Sequence, residues 1–124
     1  MTVLLLEDDV FLTDLLKKKF LQSKIHVFAV GAASEALNIL EKQKIDAILL
    51  DIILQDADGL DFLKNLKQNP KFKDIPVIII SNLGQNEEVQ KGLDAGADFY
   101  LVKANTTTDE IVSVLKQAIN PVTR

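Results

Sequence analysis

Residues 46–51 read Asp-Ala-Ile-Leu-Leu-Asp, and this stretch decides the fold of the chain. Its central apolar residues do not alternate with polar ones, which is typical of a strand buried on both faces in a parallel sheet. With a strand at Ala47–Leu50, similar apolar runs predict further strands at Thr2–Leu6, Ile25–Val30, Val77–Ser81 and Phe99–Val102. The sequence therefore predicts a parallel sheet of about five strands.

Segments of helical periodicity separate the predicted strands, because their apolar residues recur every three or four positions. The periodicity predicts helices at about Val10–Gln22, after Ser34, at Leu60–Gln68, at Asn86–Ala95 and from Thr108 to the residue before Pro121. We expect Phe11 and Leu15 in the apolar stripe of the first helix, Ser34 as the N-cap of the second, and Leu37 buried. This alternation predicts an α/β fold, a three-layer α/β/α sandwich.

The composition of the 124 residues excludes several classes of protein. With 48% hydrophobic residues and a net charge of −4, the chain predicts a globular domain without a basic surface for nucleic acid. It has no cysteine and one histidine, which excludes disulfides, thiolate sites and zinc sites with several histidines.

The apolar runs are too short to span a membrane, and no basic region or signal peptide precedes Glu7. We therefore expect a cytoplasmic location and no membrane contact. We also expect a single domain at residues 1–120, followed by a C-terminal tail at 121–124 where a linker could begin.

Polar side chains stand at the ends of several predicted strands. They are Glu7, Asp8 and Asp9 after the first strand, Asp51 after the third, Ser81 and Asn82 at the end of the fourth, and Lys103 after the fifth. Because ligands of such sheets bind at the carboxyl ends of the strands, we expect these groups to form one site. Taken singly, Asp8 and Asp9 are also consistent with helix caps, and Lys103 with an ordinary surface charge.

The chemistry of these residues indicates phosphoryl transfer. Two carboxylates about 5 Å apart repel by roughly 3 kcal/mol at an effective dielectric near 20, so the acidic cluster needs a cation. Hard oxygen ligands favour Mg²⁺, and they do not distinguish it from Mn²⁺. A hydroxyl at Ser81 and an ammonium at Lys103 would balance the charge of a phosphoryl group, and Asp51 is the natural acceptor.

Four motifs, in this order, resemble the response-regulator receiver domain, the CheY-like phosphoacceptor of two-component signalling. They are Val3-Leu-Leu-Leu-Glu-Asp-Asp9, the segment 46–60 ending in Asp58-Gly-Leu60, Ile75-Pro-Val-Ile-Ile-Ile-Ser81, and Gly96-Ala-Asp-Phe-Tyr-Leu-Val-Lys103. The resemblance covers essentially the whole chain. It implies a flavodoxin-like (βα)5 fold with strand order 2-1-3-4-5.

The resemblance also implies roles for single residues. Asp51 would accept a phosphoryl group from a histidine kinase or a histidine phosphotransfer protein. Asp8 would bind Mg²⁺ directly and Glu7 through water, together with Asp51 and the backbone carbonyl of Ile53. The chain would then be a signalling phosphoacceptor rather than an enzyme, catalysing at most its own phosphorylation and dephosphorylation.

The remaining implied roles concern the switch. Ser81 and Lys103 would bind the phosphoryl oxygens, the loop 82–85 would move inward, and Tyr100 would change rotamer. The fourth helix, fifth strand and fifth helix would present the altered surface to a downstream protein that the sequence does not name. We expect a monomer or weak dimer without direct nucleic-acid contact.

Departures from the family pattern leave an alternative open. Gln55 and Ala104 stand where the family usually has proline, and Asn82 stands where it usually has a small residue. A degenerate receiver that binds a partner without phosphorylation is therefore the second interpretation. An FMN-binding protein is disfavoured because the acidic run 7–9 would repel phosphate, and a dehalogenase-type hydrolase because Ile53 replaces its second aspartate.

Overall fold

The computed structural model describes residues 1–120, which form a five-stranded parallel sheet with strand order β2-β1-β3-β4-β5. The strands are β1 (Thr2–Leu6), β2 (His26–Val30), β3 (Ala47–Asp51), β4 (Val77–Ser81) and β5 (Phe99–Val102). This arrangement confirms the predicted fold class and strand order. The third strand runs one residue further than expected, so Asp51 itself ends β3.

The helices cover both faces of the sheet. They are α1 (Val10–Gln22), α2 (Ala33–Lys42), α3 (Gly59–Gln68), α4 (Asn86–Asp94) and α5 (Thr108–Ile119), with a 3₁₀ turn at Lys103–Asn105. Most boundaries lie within one residue of those predicted, and the expected stop at Pro121 falls outside the described residues. Among the helices of residues 1–120, none has the length and apolar character needed to cross a membrane.

Alternate residues of the central strands lie in two separate apolar cores, one on each face of the sheet. Leu4, Leu6, Ile48, Leu50 and Ile79 pack with α2 and α3 on one face. The intervening strand residues pack on the other face with Leu16 and Phe20 of α1 and with Ile111 and Leu115 of α5. Because both faces are covered, β1, β3 and β4 consist almost entirely of buried aliphatic residues.

The start of α2 corrects one prediction. The helix begins at Ala33, one residue before the expected cap Ser34, and its N-cap is Ala32, which has no polar side chain. The carboxylate of Asp56 instead accepts hydrogen bonds from the backbone N–H groups of Ala33 and Ser34, at 3.0 and 3.4 Å. A cap supplied by a distant loop leaves no local signature, which is why the sequence pointed to the nearest hydroxyl.

Three residues expected in apolar stripes are exposed. Leu37 of α2 is 44% exposed because Ala33, Ala36 and Leu40 form the buried face of that helix. Phe11 and Leu15 of α1 are 81% and 45% exposed. Apolar residues occupy more of the circumference of α1 than the sheet and α5 can cover, so only Leu16 and Phe20 are fully buried.

Gly92 allows α4 to lie directly on the sheet. A Cβ at this position would meet Tyr100 Cδ2 at 2.7 Å and Ile79 Cδ1 at 2.8 Å. Glycine inside a helix costs about 1 kcal/mol relative to alanine. The absence of a side chain at this position allows α4 to pack closely on the Tyr100 ring.

We expect Gly92→Ala to lower the free energy of unfolding by about 1 kcal/mol, because overpacking costs about 1–3 kcal/mol and exceeds the gain in helix propensity. Urea unfolding followed by circular dichroism measures the change. The neighbouring Lys91→Ala, at an exposed position of the same helix, should stay within about 0.5 kcal/mol of the wild type. A Gly92→Ala protein more stable than the wild type would contradict the packing argument.

Candidate functional site

Three carboxylates converge at the carboxyl edge of the sheet. Glu7 and Asp8 follow β1, Asp51 ends the adjacent β3, and one oxygen from each lies within 4.8 Å of the others. Glu7 and Asp51 are buried and Asp8 is partly buried. The structure therefore brings together the acidic residues that the topology argument placed at this edge. Asp9 instead caps α1, accepting a hydrogen bond from the backbone of Leu12 at 3.1 Å.

The side chain of Lys103 enters the same cluster from the end of β5. Its Nζ lies 2.8 Å from Glu7 Oε1 and 3.0 Å from Asp51 Oδ2. Within residues 1–120 no peptide bond is cis, so the Lys103–Ala104 bond is trans. An alanine in place of the proline usual in the family therefore still lets the ammonium reach both carboxylates.

Burial and the neighbouring charges set the ionisation of this cluster. Burial raises the pKa of the Glu7 carboxyl above its usual value of 4.5, and contacts with Lys103 and the Asp9 backbone N–H only partly offset this effect. Burial lowers the pKa of the Lys103 ammonium, but its contacts with Glu7 and Asp51 outweigh burial and raise this pKa above 10.5. Lys103 therefore carries a full positive charge at neutral pH.

Ser81 and Tyr100 are linked through the backbone of Leu83. Ser81, at the end of β4, is fully buried, and its Oγ accepts a hydrogen bond from the Leu83 N–H at 3.1 Å. The Tyr100 hydroxyl donates a hydrogen bond to the Leu83 carbonyl. The hydroxyl at the end of β4 and the aromatic ring beneath α4 thus hold the same loop residue, which the sequence did not reveal.

The loop after β3 is folded tightly over the site. The Ile53 N–H donates to Asp51 Oδ1 at 3.0 Å, and the Gly59 N–H donates to the Ile52 carbonyl at 3.0 Å. Asp58 caps α3 through the Leu60 N–H at 2.9 Å. These bonds keep the backbone of Ile53 beside the acceptor carboxylate.

The converging groups enclose a small open cleft of about 240 Å³. It is lined by Glu7, Asp8, Asp9, Asp51, Ile53, Asn82 and Lys103. His26, the single histidine, lies elsewhere at the edge strand β2, exposed and with its ring against Phe28.

The donor set fits a hard divalent cation. One or two carboxylates, completed by waters and other oxygen ligands, are what Mg²⁺ and Mn²⁺ prefer. Glu7 Oε1 is buried and, within residues 1–120, accepts no hydrogen bond of ordinary geometry, although it lies at ion-pair distance from Lys103. A second cation beside the lysine would satisfy the remaining charge of the cluster.

A parallel sheet in the order 2-1-3-4-5, with acidic residues and a lysine at its carboxyl edge, defines the CheY-like class of flavodoxin-like domains. A sequence model described as the response regulator receiver domain matches residues 3–116. The chain belongs to this family, which is one of two-component signalling. The family is one of signalling domains rather than of enzymes in the usual sense.

Individual relatives agree with this membership. The chain is 42% identical over 89 residues, 72% of its length, to the gliding motility regulatory protein of Myxococcus xanthus, of which it covers 11%. It spans between 11% and 56% of the lengths of the first curated relatives that it matches. These relatives therefore contain long segments with no counterpart in this chain.

Solved structures of receiver domains superpose on most of the chain. The receiver domain of the Francisella response regulator 1452 has a TM-score of 0.89 and 29% identity, with 97% of each chain covered. The receiver domain of the sensor histidine kinase PA1611 from Pseudomonas aeruginosa PAO1 has a magnesium ion coordinated in its active site cleft. It superposes with a TM-score of 0.86 at 24% identity, covering 96% of this chain and 97% of that one, and shows the shared fold.

We expect Glu7→Gln to change the pH dependence of stability in metal-free buffer. The pKa of Glu7 is higher in the folded than in the unfolded state, so the folded state binds this proton more tightly. The contribution of proton binding to the free energy of unfolding is therefore complete below pH 4.5 and is lost as the pH rises through the raised pKa. A neutral glutamine removes this loss. The melting temperature of the variant, relative to the wild type, should therefore increase as the pH rises from 4.5 through the raised pKa of Glu7.

The matched control is Glu35→Gln, which removes one exposed carboxylate from α2. Water screens an exposed charge, so its relative melting temperature should vary less with pH. A difference between Glu7→Gln and the wild type that stays constant with pH would contradict the role of burial.

Proposed function

We propose that Asp51 accepts a phosphoryl group from a histidine kinase or a histidine phosphotransfer protein. The observation that carries this proposal is the convergence of Glu7, Asp8, Asp51 and Lys103 in one open cleft. This combination of acceptor, cation ligands and fixed positive charge suits the transfer of an anionic group.

The acidic residues would hold Mg²⁺, or Mn²⁺ in its place. Asp8 and Asp51 would bind it directly, Glu7 through water, and Ile53 through its backbone carbonyl. The ion would supply positive charge that offsets the charge of the phosphoryl oxygens. The magnesium bound by the receiver domain of PA1611, which shares the fold, supports this assignment.

In the transfer step, a carboxylate oxygen of Asp51 attacks the phosphorus of a phosphohistidine. A P–O bond forms, the P–N bond breaks, and the donor imidazole leaves with the bonding electron pair. Lys103 Nζ, already 3.0 Å from Asp51 Oδ2, would bind a phosphoryl oxygen of the product. Hydrolysis of the acyl phosphate would restore Asp51, so any catalysis concerns the chain's own phosphorylation and dephosphorylation.

The hydroxyl of Ser81 would pass the change to Tyr100. If the Ser81 hydroxyl turns to the phosphoryl group, it loses the hydrogen bond from the Leu83 N–H. The loop 82–85 then moves inward, and Tyr100 loses the position of its own acceptor, the Leu83 carbonyl. The face formed by α4, β5 and α5 would change shape and bind a downstream protein.

Further assignments belong to the same proposal. Residues 1–120 would form the receiver domain, and 121–124, which lie outside the described residues, would be a tail or the start of a linker. We propose a cytoplasmic location and a monomer or weak dimer. The chain would act by protein contact, without binding nucleic acid or a membrane directly.

We expect one phosphoryl adduct in the intact mass after incubation with acetyl phosphate and Mg²⁺. The adduct should be absent with EDTA and absent in Asp51→Asn, because both the cation and the acceptor oxygen are then missing. Asp61→Asn, which changes an exposed aspartate of α3, is the matched control and should be phosphorylated like the wild type.

An adduct that persists in Asp51→Asn would show that another residue is the acceptor. If acetyl phosphate gives no adduct and beryllofluoride does not bind, both in the presence of Mg²⁺, the proposal is wrong. The chain would then fit the degenerate receiver, which binds its partner without phosphorylation.

We expect beryllofluoride with Mg²⁺ to change the tyrosine fluorescence of the protein. The sequence has one tyrosine and no tryptophan, so the emission reports on Tyr100 alone. Ser81→Ala should abolish the change, because it removes the hydroxyl that joins the phosphoryl site to Leu83, and Ser81→Thr should preserve it. An unchanged response in Ser81→Ala would contradict this coupling.

A further inference from the structure

Asp56 ties the loop after β3 to the beginning of α2. Its two carboxylate oxygens accept hydrogen bonds from the backbone N–H groups of Ala33, at 3.0 Å, and Ser34, at 3.4 Å. The partners are 23 and 22 residues apart in the sequence. Because Ala32 has no polar side chain, the first turn of α2 takes its side-chain acceptor from this loop.

The tied loop is the one that carries Ile53. One end of the loop is held where the Ile53 N–H donates to Asp51 Oδ1, and the other where the Gly59 N–H donates to the Ile52 carbonyl. Between these points, residues 54–57 contain neither proline nor glycine. The hydrogen bonds that Asp56 accepts from the start of α2 therefore fix the position of the outer part of the loop.

The two elements joined by Asp56 border the acidic cluster. A cavity of about 530 Å³ is lined by Glu7 and Asp8, by Ala32 at the start of α2, and by Gln55 of the loop. A loop released from α2 could swing into solvent on this side. The Ile53 carbonyl would then be positioned by the bond of its own residue to Asp51 and by the bridge to Asp58, without the support of the outer loop.

We propose that Asp56 is a positioning residue for the divalent cation: by fastening the loop to α2, it holds the Ile53 carbonyl in place as a ligand. The inference rests on the proposed function, since it assumes that the cation binds at Asp51. Residues that orient metal ligands from outside typically change affinity 10- to 100-fold when replaced, so we expect about 10-fold weaker Mg²⁺ binding without the tie.

Two simpler roles must be separated from this one. Asp56 could serve only as a helix cap, so that its loss would merely destabilise α2. It could also attract the cation only by its charge. Variants of the chain distinguish these roles, because the cap can be restored at Ala32 and the charge can be removed without removing the hydrogen-bond acceptor.

The first comparison uses Asp56→Ala and the double variant Ala32→Ser/Asp56→Ala. A serine at the N-cap, three residues before Glu35, creates a capping box and should restore a melting temperature that Asp56→Ala lowers by about 4 °C. The Mg²⁺ dissociation constant is measured by titration of backbone amide shifts. We expect this constant to be about 10-fold higher than that of the wild type in both variants. Hydrogen exchange at the Ile53 amide should also be faster in both.

The second comparison uses Asp56→Asn, which retains one carbonyl acceptor without the charge. We expect Mg²⁺ affinity close to that of the wild type, since the oxygen can still accept the bond from Ala33. If Asp56→Asn binds as weakly as Asp56→Ala, the charge is what matters. If Ala32→Ser/Asp56→Ala regains wild-type affinity, Asp56 is only a cap. Either result overturns the inference.

Mg²⁺ binding by the wild type distinguishes failure of this inference from failure of the proposed function. If the wild-type protein shows no Mg²⁺-dependent shift at Asp51 and Ile53, the cation site itself is wrong, and the inference falls with it. If the wild type binds Mg²⁺ and every Asp56 variant binds it equally well, only the inference fails.

Discussion

The repulsion among carboxylates at one edge of the sheet is the constraint on which the rest of the structure depends. Glu7 and Asp51 are buried, and with Asp8 their oxygens lie within 4.8 Å of one another. Two such charges repel by about 3 kcal/mol at an effective dielectric near 20. Lys103 balances part of this charge, at 2.8 Å from Glu7 and 3.0 Å from Asp51. A cluster that is only partly neutralised favours the arrival of a cation.

The parallel sheet holds these charges together in spite of their repulsion. Strands β1, β3 and β4 are buried on both faces, so their aliphatic residues fix where each strand ends. In the register of the sheet, Asp51 lies opposite Ile80 and Ser81 opposite Val102, which places the polar ends side by side. Apolar burial across the whole domain therefore stabilises an arrangement that the charged groups alone would not adopt.

Periodicity and composition predicted the sheet, its helices and the edge at which the polar residues meet. These features depend on local patterns and on one topological rule, so a single sequence is enough. The features that the sequence misassigned or left unexplained depend on contacts between distant segments. Asp56 caps α2 from another loop, and Gly92 makes room for Ile79 and the Tyr100 ring beneath it. Leu37 and Phe11 are exposed because no part of residues 1–120 covers their side of the helix. The link through Leu83 uses backbone atoms, which carry no residue signature.

Helix α4 buries few of its residues and is joined to the site through its packing on Tyr100. Of residues 86–94, all within the described part of the chain, only Gly92 is buried, and the Gln85 N-cap makes no side-chain capping bond within residues 1–120. Such a helix depends on its packing against Tyr100 and Ile79, so shifting it costs little. A hydrogen bond to a charged group contributes about 1.5–3 kcal/mol, which can offset the small free energy needed to shift this helix. Under the proposed function, a single new contact at Ser81 would therefore be enough to move α4, because the Leu83 backbone connects the Ser81 hydroxyl to the Tyr100 hydroxyl.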